Sequence, residues 1–342
     1  MTKYLDSITD NMMEYLEITI KPNGTIIDIK DLFQRLSLDS IGFCAFGIEM
    51  NSFEDPNNSL MKNCKQSFTD LQIKNFTQSF TMNLLNYFPF LLYFVDTYGK
   101  QNYDKLRNLT QNIVENRTEF RNDFIDRLKD LNKNRKINGL TEDNIMAQGI
   151  GFFMAGFETT SNTMSTLCYN LAQNPQIQEK LFEEINKIET FDHETIINLV
   201  YLDAIIKENL RMYPPAVSLH RECKRDTKIG NILIKQGVNV KFPVWALHHS
   251  SEFYENPDKF RPERFLNETK ENIEPYAYIP FGGGPRKCLG MRFALIEMKI
   301  ALAKIFQKYQ ICTTPETKLD FHSGDSLFLS YPELKLRLKP RQ

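Results

Sequence analysis

The sequence predicts a mainly helical α+β fold with its helices first and a small sheet near the carboxyl end. Apolar residues recur at helical spacing in five stretches before Pro175, at about 2–18, 29–46, 59–75, 101–131 and 141–173. After Pro214 and Pro215, a stretch rich in β-branched residues and punctuated by glycine (227–247) predicts a hairpin, and "LKLRLK" near the end alternates like a strand. We therefore expect one domain over 1–342, helical over 1–213, with the sheet and a glycine-rich loop over 214–342.

The segment from Thr141 to Asn174 predicts the longest helix. Thr141 can cap its amino end, Glu142 and Asp143 favour its first turn, and Pro175 ends it. At 1.5 Å per residue this helix would be roughly 50 Å long and would cross the whole domain. Three more helices are expected at about 175–188, 200–213 and 290–309.

Composition excludes several classes of protein. The chain has 342 residues, of which 42% are hydrophobic and 25% charged, and its net charge of −1 argues against a nucleic-acid-binding protein. Its six cysteines are scattered and form no CxxC pair, so a zinc ribbon or a redox dithiol is not expected. The apolar run at 84–95 is shorter than the ~20 residues that a bilayer requires. It is interrupted by Pro89, and a buried loop and an interfacial contact both remain open for it.

The stretch "FGGGPRKCLG" (281–290) carries the strongest chemical signal. It fits F-x-x-G-x-R-x-C-x-G, a pattern whose chance occurrence in a chain of this composition is on the order of 10⁻⁴ or less. Glycine serves where the backbone must turn unusually or approach another group closely. A cysteine at a helix amino end beside cationic side chains tends to ionise. The pattern therefore indicates a thiolate presented to a large, flat and electrophilic partner.

This loop resembles the cysteine-ligand loop of the cytochrome P450 family of haem-thiolate monooxygenases. The resemblance implies that Cys288 is the axial ligand to the iron of haem b, where thiolate donation favours cleavage of the O–O bond. By the same resemblance Arg286 would bind a haem propionate and Phe281 would pack beside the sulfur. Gly284 and Gly290 would let the loop lie close to the macrocycle.

Within the long helix, "AGFETT" (155–160) resembles the oxygen-activation motif of the same family. Glycines at 149, 151 and 156 each cost a helix interior about 1 kcal/mol, which suggests that another group passes close to the backbone. Phe152, Ala155, Gly156 and Thr159 would share one face. The resemblance implies that Thr159 orders water over the iron, and that Glu158 supplies protons with access to solvent. Without the cysteine loop, a plain packed helix would explain the motif better.

Two further motifs resemble structural and cofactor-binding features of the family. "KENLRMYPP" supplies Glu208 and Arg211 one helical turn apart, and "RPERF" supplies Arg264 as the third member of an ionic triad. The triad would hold a coil against a helix and would take no part in the chemistry. Arg221 in "SLHREC" matches a second propionate-binding position, with a surface arginine as the alternative.

The resemblance extends over residues 1 to 342, and the sequences around the motifs are most like those of the eukaryotic microsomal group that processes xenobiotics and steroids. It implies monooxygenation of a lipophilic substrate at the endoplasmic reticulum membrane, with electrons from an NADPH-dependent reductase and a possible contribution from cytochrome b5. Residues 84–95 correspond to a loop near the membrane surface, which favours the interfacial contact. The expected substrate-facing side chains are Phe152, Phe153, Ala155, Val217, Leu219 and Phe328.

One departure from the family pattern concerns the amino end. Family members begin with a membrane anchor, a sheet and several helices, one of which carries W-x-x-x-R, whereas the one tryptophan here is Trp245. We therefore expect the sequence to begin partway through the fold, and residues 1–342 alone to aggregate or to bind haem weakly. Two alternatives remain open. One is a haem-thiolate isomerase that needs no reductase, against which Glu158 and Thr159 count, and the other is a non-catalytic fragment.

Overall fold

We analysed a computed structural model of the chain. It describes residues 1–55, 58, 61–66, 100–117, 120–121, 123–133, 141–266, 273–321 and 328–341. The apolar run at 84–95, expected at a membrane surface, lies outside the described residues, as does most of the helix expected at 59–75, of which 61–66 is helical. In the described part of the chain, no helix is long and apolar enough to cross a membrane.

The described helices follow the expected order closely. They are α1 (Thr2–Thr19), α2 (Ile29–Phe46), α3 (Lys100–Glu115), α4 (Phe124–Lys133), α5 (Glu142–Gln173), α6 (Pro175–Ile185), α7 (His193–Ile197), α8 (Val200–Met212), α9 (Val244–His248) and α10 (Met291–Lys308). Short 3₁₀ turns occur at Pro262–Phe265 and Gly284–Arg286. The mainly helical α+β class that the sequence predicts is thus the class observed.

Helix α5 begins where its capping residues place it. The Thr141 hydroxyl accepts a hydrogen bond from the Asn144 amide at 3.2 Å, and the Asn144 side chain accepts one from the Thr141 amide at 3.3 Å. This reciprocal capping box satisfies two amides that the first turn would otherwise leave without partners. The helix then runs for 32 residues before Asn174 and Pro175 end it. Its length of about 48 Å agrees with the predicted dimension.

The helix expected at 101–131 is interrupted, and the interruption has an electrostatic cause. The Arg117 guanidinium bonds Asp123 Oδ1 at 2.6 Å and Asp126 Oδ1 at 3.0 Å. Asp123 also accepts a hydrogen bond from the Asp126 amide at 3.1 Å, which caps the start of α4. Because Asp123 is used as a cap and an arginine partner, α3 and α4 form two helices instead of one.

The strands in the described part of the chain form three small antiparallel sheets. Strands β1 (Thr25–Asp28), β7 (Lys335–Pro340) and β6 (Tyr309–Cys312) make a three-stranded sheet in the order β1-β7-β6. The expected hairpin is present as β3 (Thr227–Ile229) and β4 (Ile232–Ile234). Strand β5 (Asn239–Phe242), which the hairpin was expected to include, pairs with β2 (Leu219–Glu222).

The core is built around α5 and α2, which pack extensively against each other. Gly156 of α5 lies so close to α2 that a methyl group added there would fall 1.9 Å from Ile41 Cδ1. Phe153 and Phe157 of α5 are fully buried in the same cluster. The sequence predicted that another group would approach these glycines closely. At Gly156 that group is the neighbouring helix α2.

Candidate functional site

The cysteine loop is closed by its own backbone. The Cys288 amide donates to the Phe281 carbonyl at 2.9 Å, and the Lys287 amide donates to the Gly284 carbonyl at 3.1 Å. Gly282 and Gly284 have φ values of 72° and 68°, in the left-handed region that side-chain-bearing residues rarely adopt. The glycines therefore permit a tight turn that ends just before α10, with Cys288 on its outer surface.

The loop presents an open face with the chemistry of a haem site. Cys288 is exposed and free, and a methyl group added at Gly284 or Gly290 would meet no atom within 4 Å. Arg286 is exposed and forms no hydrogen bond or ion pair with the described residues. A soft sulfur donor, an arginine that can bind carboxylates and glycines that leave space for a flat group are together what an anionic macrocycle with a thiolate-bound iron needs. The residues present fit haem b.

A second open surface runs along α5 through residues spaced four apart. Gly151 and Ala155 are exposed and Thr159 is half-buried, and a methyl group at Gly151 would meet no atom within 4 Å. The Thr159 hydroxyl donates to the Ala155 carbonyl at 2.6 Å. Since that bond uses the hydroxyl proton, the oxygen remains able to accept a hydrogen bond from another group. We call these three residues the open strip of α5.

Two predictions about this helix face are corrected by the structure. Gly156 does not share the open strip, because it faces Ile41 of α2. Phe153, expected to face substrate, has no exposed surface, and its ring stacks on Phe46 at a centroid distance of 4.1 Å. Phe152 is half-buried, with its ring 4.0 Å from that of Phe124. Phe153 is therefore a core residue, because the helical period turns it towards α2.

Glu158 points away from the solvent that it was expected to contact. Only 5% of its surface is exposed, and Lys30 Nζ of α2 lies 2.7 Å from its Oε1. Gln34 Nε2, one turn along α2, donates to the other carboxylate oxygen at 2.7 Å. The expectation that Glu158 has direct access to solvent is thus wrong, because the packing of α2 on α5 covers its carboxylate.

The expected ionic triad is assembled in the interior. Arg211 donates from Nε and Nη2 to the two carboxylate oxygens of Glu208, both at 2.9 Å. Arg264 Nε lies 3.3 Å from Glu208 Oε1, and the Arg261 amide donates to the same oxygen at 2.9 Å. All three triad side chains are essentially fully buried. The two arginines also bond backbone carbonyls of the coil, at Pro257 for Arg211 and at Asn256 for Arg264, so the coil is fixed to α8.

The remaining expected site residues lie after α8, on β2 and on segments outside the helices and strands. Arg221 is half-buried on β2 and donates to the His220 carbonyl at 2.8 Å. Leu219 approaches the cysteine loop, because its Cδ1 would lie 3.5 Å from a methyl group at Gly282. Phe328 is exposed and its backbone bridges to Ala216, the neighbour of the half-buried Val217. Of these side chains, Leu219 is the one that the described residues show close to the cysteine loop.

Sequence reasoning missed four buried polar residues that organise the site, namely Lys30, Gln34, His248 and Glu297. Glu297 lies on α10, fully buried, and accepts a hydrogen bond from Ser37 of α2 at 2.9 Å. His248 bonds both α8 and the segment before the cysteine loop. No local signal marks Lys30 or Gln34, because their partner is 124 or more residues away in the chain.

Comparison with known proteins identifies the family. The model of the family described as Cytochrome P450 matches residues 1–339. The chain is 33% identical to cytochrome P450 3A6 of Oryctolagus cuniculus over 359 residues, covering 99% of this chain and 69% of the relative. It is 35% identical to cytochrome P450 3A31 of Mesocricetus auratus over 332 residues, covering 92% of this chain and 65% of the relative. Against cytochrome P450 3A7 of Homo sapiens the identity is 33%, over 93% of this chain and 65% of the relative. The chain thus spans about two thirds of the length of these relatives, and it belongs to the cytochrome P450 family.

Proposed function

We propose that the protein is a haem-thiolate monooxygenase that inserts one oxygen atom from O₂ into a lipophilic small molecule. The observation that carries this proposal is the Cys288 thiol, exposed at the tip of a glycine turn that the Cys288 amide closes onto Phe281. Cys288 has no disulfide partner among the described cysteines, so its sulfur is free to bind a metal. Family membership implies haem b as the cofactor, with electrons from NADPH through a reductase.

Cys288 and Arg286 would hold the haem from the loop, and Arg221 would be its second propionate ligand. When bound, haem supplies an iron centre that activates O₂, while the protein supplies placement and electrostatics. Phe281 is half-buried, and we assign it to packing beside the sulfur. Gly284 and Gly290, which have no side chain and open space around them, would permit close contact of the loop with the ring.

The open strip of α5 would act on the substrate side. Thr159 keeps its hydroxyl oxygen available as an acceptor, because its proton is directed at the Ala155 carbonyl. We assign this oxygen to holding a water molecule that delivers protons to the reacting oxygen. Glu158 is placed next to Thr159 but is closed off by Lys30 and Gln34. To exchange protons with solvent, the Glu158 carboxylate would have to separate from Lys30.

The substrate is assigned by the character of the lining side chains. Ala155, Phe152, Val217, Leu219 and Phe328 are apolar and not fully buried, which suits a lipophilic molecule. We propose the endoplasmic reticulum membrane as the location and an NADPH-cytochrome reductase as the partner, with cytochrome b5 as a possible second donor. These assignments rest on family membership and on the lining residues.

The test is an isotope experiment. Haem-loaded protein is mixed with a reductase, NADPH and a panel of lipophilic substrates under labelled O₂. The proposal expects products that carry one labelled oxygen atom and depend on NADPH. Conversion of a lipid peroxide without NADPH, with no labelled product from any substrate, would instead support the isomerase alternative. Haem-loaded protein that converts neither type of substrate would overturn the proposed activity.

A further inference from the structure

We propose that His248 is a positioning residue that holds the chain segment entering the cysteine loop and so sets the placement of Cys288. His248 is at the end of α9 and has no exposed surface. The inference deepens the proposed function, because it rests on Cys288 being the haem ligand. Its evidence, however, is the geometry of three backbone segments that His248 connects, and that geometry can be tested without any catalytic assay.

The imidazole joins α8 to the loop through both ring nitrogens. His248 Nδ1 lies 3.1 Å from the carbonyl oxygen of Arg211, and His248 Nε2 accepts a hydrogen bond from the Ile279 amide at 3.0 Å. A carbonyl can only accept and an amide N–H can only donate. The ring must therefore carry its proton on Nδ1 and be neutral, since a proton on Nε2 would leave the Ile279 amide without its acceptor.

The surroundings keep His248 in this neutral form. Burial is the main cause that lowers its pKa to about 4, and the charge of Arg211 lowers it further, while its hydrogen bond to the Arg211 carbonyl opposes the shift. Arg211 Nη1 donates back to the His248 carbonyl at 2.8 Å, so the two residues are bonded in both directions. The ring also stacks on Tyr278 with a centroid distance of 5.5 Å and an interplanar angle of 18°.

From Ile279 the connection continues to the cysteine through backbone hydrogen bonds. The Ile279 carbonyl accepts from the Gly282 amide at 3.0 Å, and the Phe281 carbonyl accepts from the Cys288 amide at 2.9 Å. The first bond fixes residues 279–282 and the second fixes residues 281–288, so the two fixed segments overlap. The Glu208–Arg211 pair is thereby linked to Cys288 through the His248 ring, which gives the buried ion pair an influence on the sulfur position.

Two further side-chain hydrogen bonds hold the same segment upstream of Ile279, whereas Phe281 of the loop packs against the core. The Tyr254 hydroxyl donates to the Ala277 carbonyl at 3.1 Å, and the Tyr278 hydroxyl donates to the Lys207 carbonyl at 3.2 Å. Both bonds restrain positions before Ile279. Loss of the His248 bond would therefore release the loop from Ile279 to Cys288 while leaving its upstream anchor in place.

The experiment compares variants that alter the two hydrogen bonds of the His248 ring. His248→Phe keeps an aromatic ring that can stack on Tyr278 but removes both hydrogen bonds. His248→Gln places an amide oxygen within reach of the Ile279 amide and is the conservative rescue. Gln178→Leu is the matched control: Gln178 is buried and makes backbone bonds to Leu171 and Ile311 at 2.9 to 3.0 Å, far from the loop in sequence. If His248→Phe does not fold, His248→Asn, which keeps the donor to Arg211 but is too short to reach Ile279, replaces it.

Amide hydrogen exchange over 279–288 and the reduced carbon-monoxide spectrum are then recorded for each protein. We expect His248→Phe to speed exchange in 279–288 at least about tenfold and to lower the thiolate-type fraction of the spectrum. His248→Gln should restore most of the slow exchange and most of the thiolate-type fraction. Gln178→Leu should lower the melting temperature but change neither the exchange over 279–288 nor the spectrum. Exchange over 279–288 that is the same in His248→Phe as in the parent would overturn the proposal. If exchange changes but Cys288→Ala keeps the thiolate-type spectrum, the loop connection stands and the ligand assignment fails.

Discussion

Lys30 Nζ lies 2.7 Å from Glu158 Oε1, and both side chains are about 95% buried. Lys30 also donates to the Tyr331 carbonyl at 2.6 Å, and Gln34 completes the hydrogen bonding of Glu158. The pair joins α2, α5 and the carboxyl-terminal segment next to the motif that contains Thr159. It is therefore both a structural contact and a restraint on the carboxylate beside that threonine.

Removing one member of this pair should be far more costly than removing both. Lys30→Met leaves the Glu158 carboxylate buried without a counter-charge, so we expect a loss of about 3–5 kcal/mol in the free energy of unfolding. The double variant Lys30→Met/Glu158→Gln should recover at least half of that loss, because no buried charge remains. Urea denaturation of the four proteins of the cycle measures both quantities. A loss below about 1 kcal/mol in Lys30→Met would show that the pair is not buried as described.

The Thr159 hydroxyl should control how efficiently electrons are used. Thr159→Ala removes the oxygen that holds water, so O₂ should still be reduced, with less product and more hydrogen peroxide for each NADPH consumed. Thr159→Ser keeps a hydroxyl that can donate to the Ala155 carbonyl, and it is the control expected to behave nearly like the parent. Product, peroxide and NADPH are measured in the same reaction. Equal coupling in Thr159→Ala and the parent would exclude this role.

Glu297 should make the folded protein less stable as the pH rises. Burial raises the pKa of its carboxyl from 4.5 to about 8, with the hydrogen bond from Ser37 opposing the shift. Between these two values only the folded chain holds the proton, so the free energy of unfolding falls with rising pH, and above about 8 the loss is complete. Glu297→Gln should therefore be more stable than the parent at pH 8 and closely similar at pH 4.5.

Melting temperatures of both proteins from pH 4.5 to 8.5 measure this difference. Some slope should persist in Glu297→Gln, because burial also raises the pKa of Asp39 to about 6. If the difference in melting temperature between the two proteins does not change with pH, the assignment of a neutral, buried Glu297 is contradicted.

The buried triad should contribute much more to the free energy of unfolding than a surface ion pair with a similar N–O distance. Glu208→Gln leaves Arg211 and Arg264 buried without a carboxylate, and we expect a loss of about 3–5 kcal/mol together with poor haem retention. Asp226→Asn is the control, because Asp226 pairs with Lys235 at 2.8 Å on an exposed hairpin, where solvent screens the pair and its loss should change stability little. Equal losses in urea denaturation for the two variants would show that the triad does not hold the coil.

Local rules were sufficient for much of the fold and for the cysteine loop. Thr141 and Pro175 bound α5 because capping and helix termination depend on neighbouring residues, and the same holds for α2, which the Asp28 side chain caps and Gly47 ends. The loop was predictable because its glycines and Cys288 lie within ten consecutive positions. The pairing of β5 with β2 was not predictable, since strand pairing is a contact between distant segments.

The orientation of side chains on α5 depended on tertiary packing. Spacing alone placed Gly156 with Ala155 and Thr159, whereas the approach of Ile41 shows that α2 covers Gly156. For the same reason the burial of Glu158 could not be predicted, because its partner Lys30 lies on a different helix. His248 was missed because a histidine beside a second histidine gives no sign of which backbone groups its ring will meet.

The ligand assignment of Cys288 is tested most directly by the reduced carbon-monoxide spectrum of the haem-loaded protein. We predict that the parent and Cys312→Ala, which replaces a half-buried free cysteine, both show the red-shifted Soret band of a thiolate ligand. Cys288→Ala should lose that band completely while its apoprotein keeps a melting temperature close to that of the parent. A red-shifted band that survives in Cys288→Ala would contradict the assignment on which this account of the site depends.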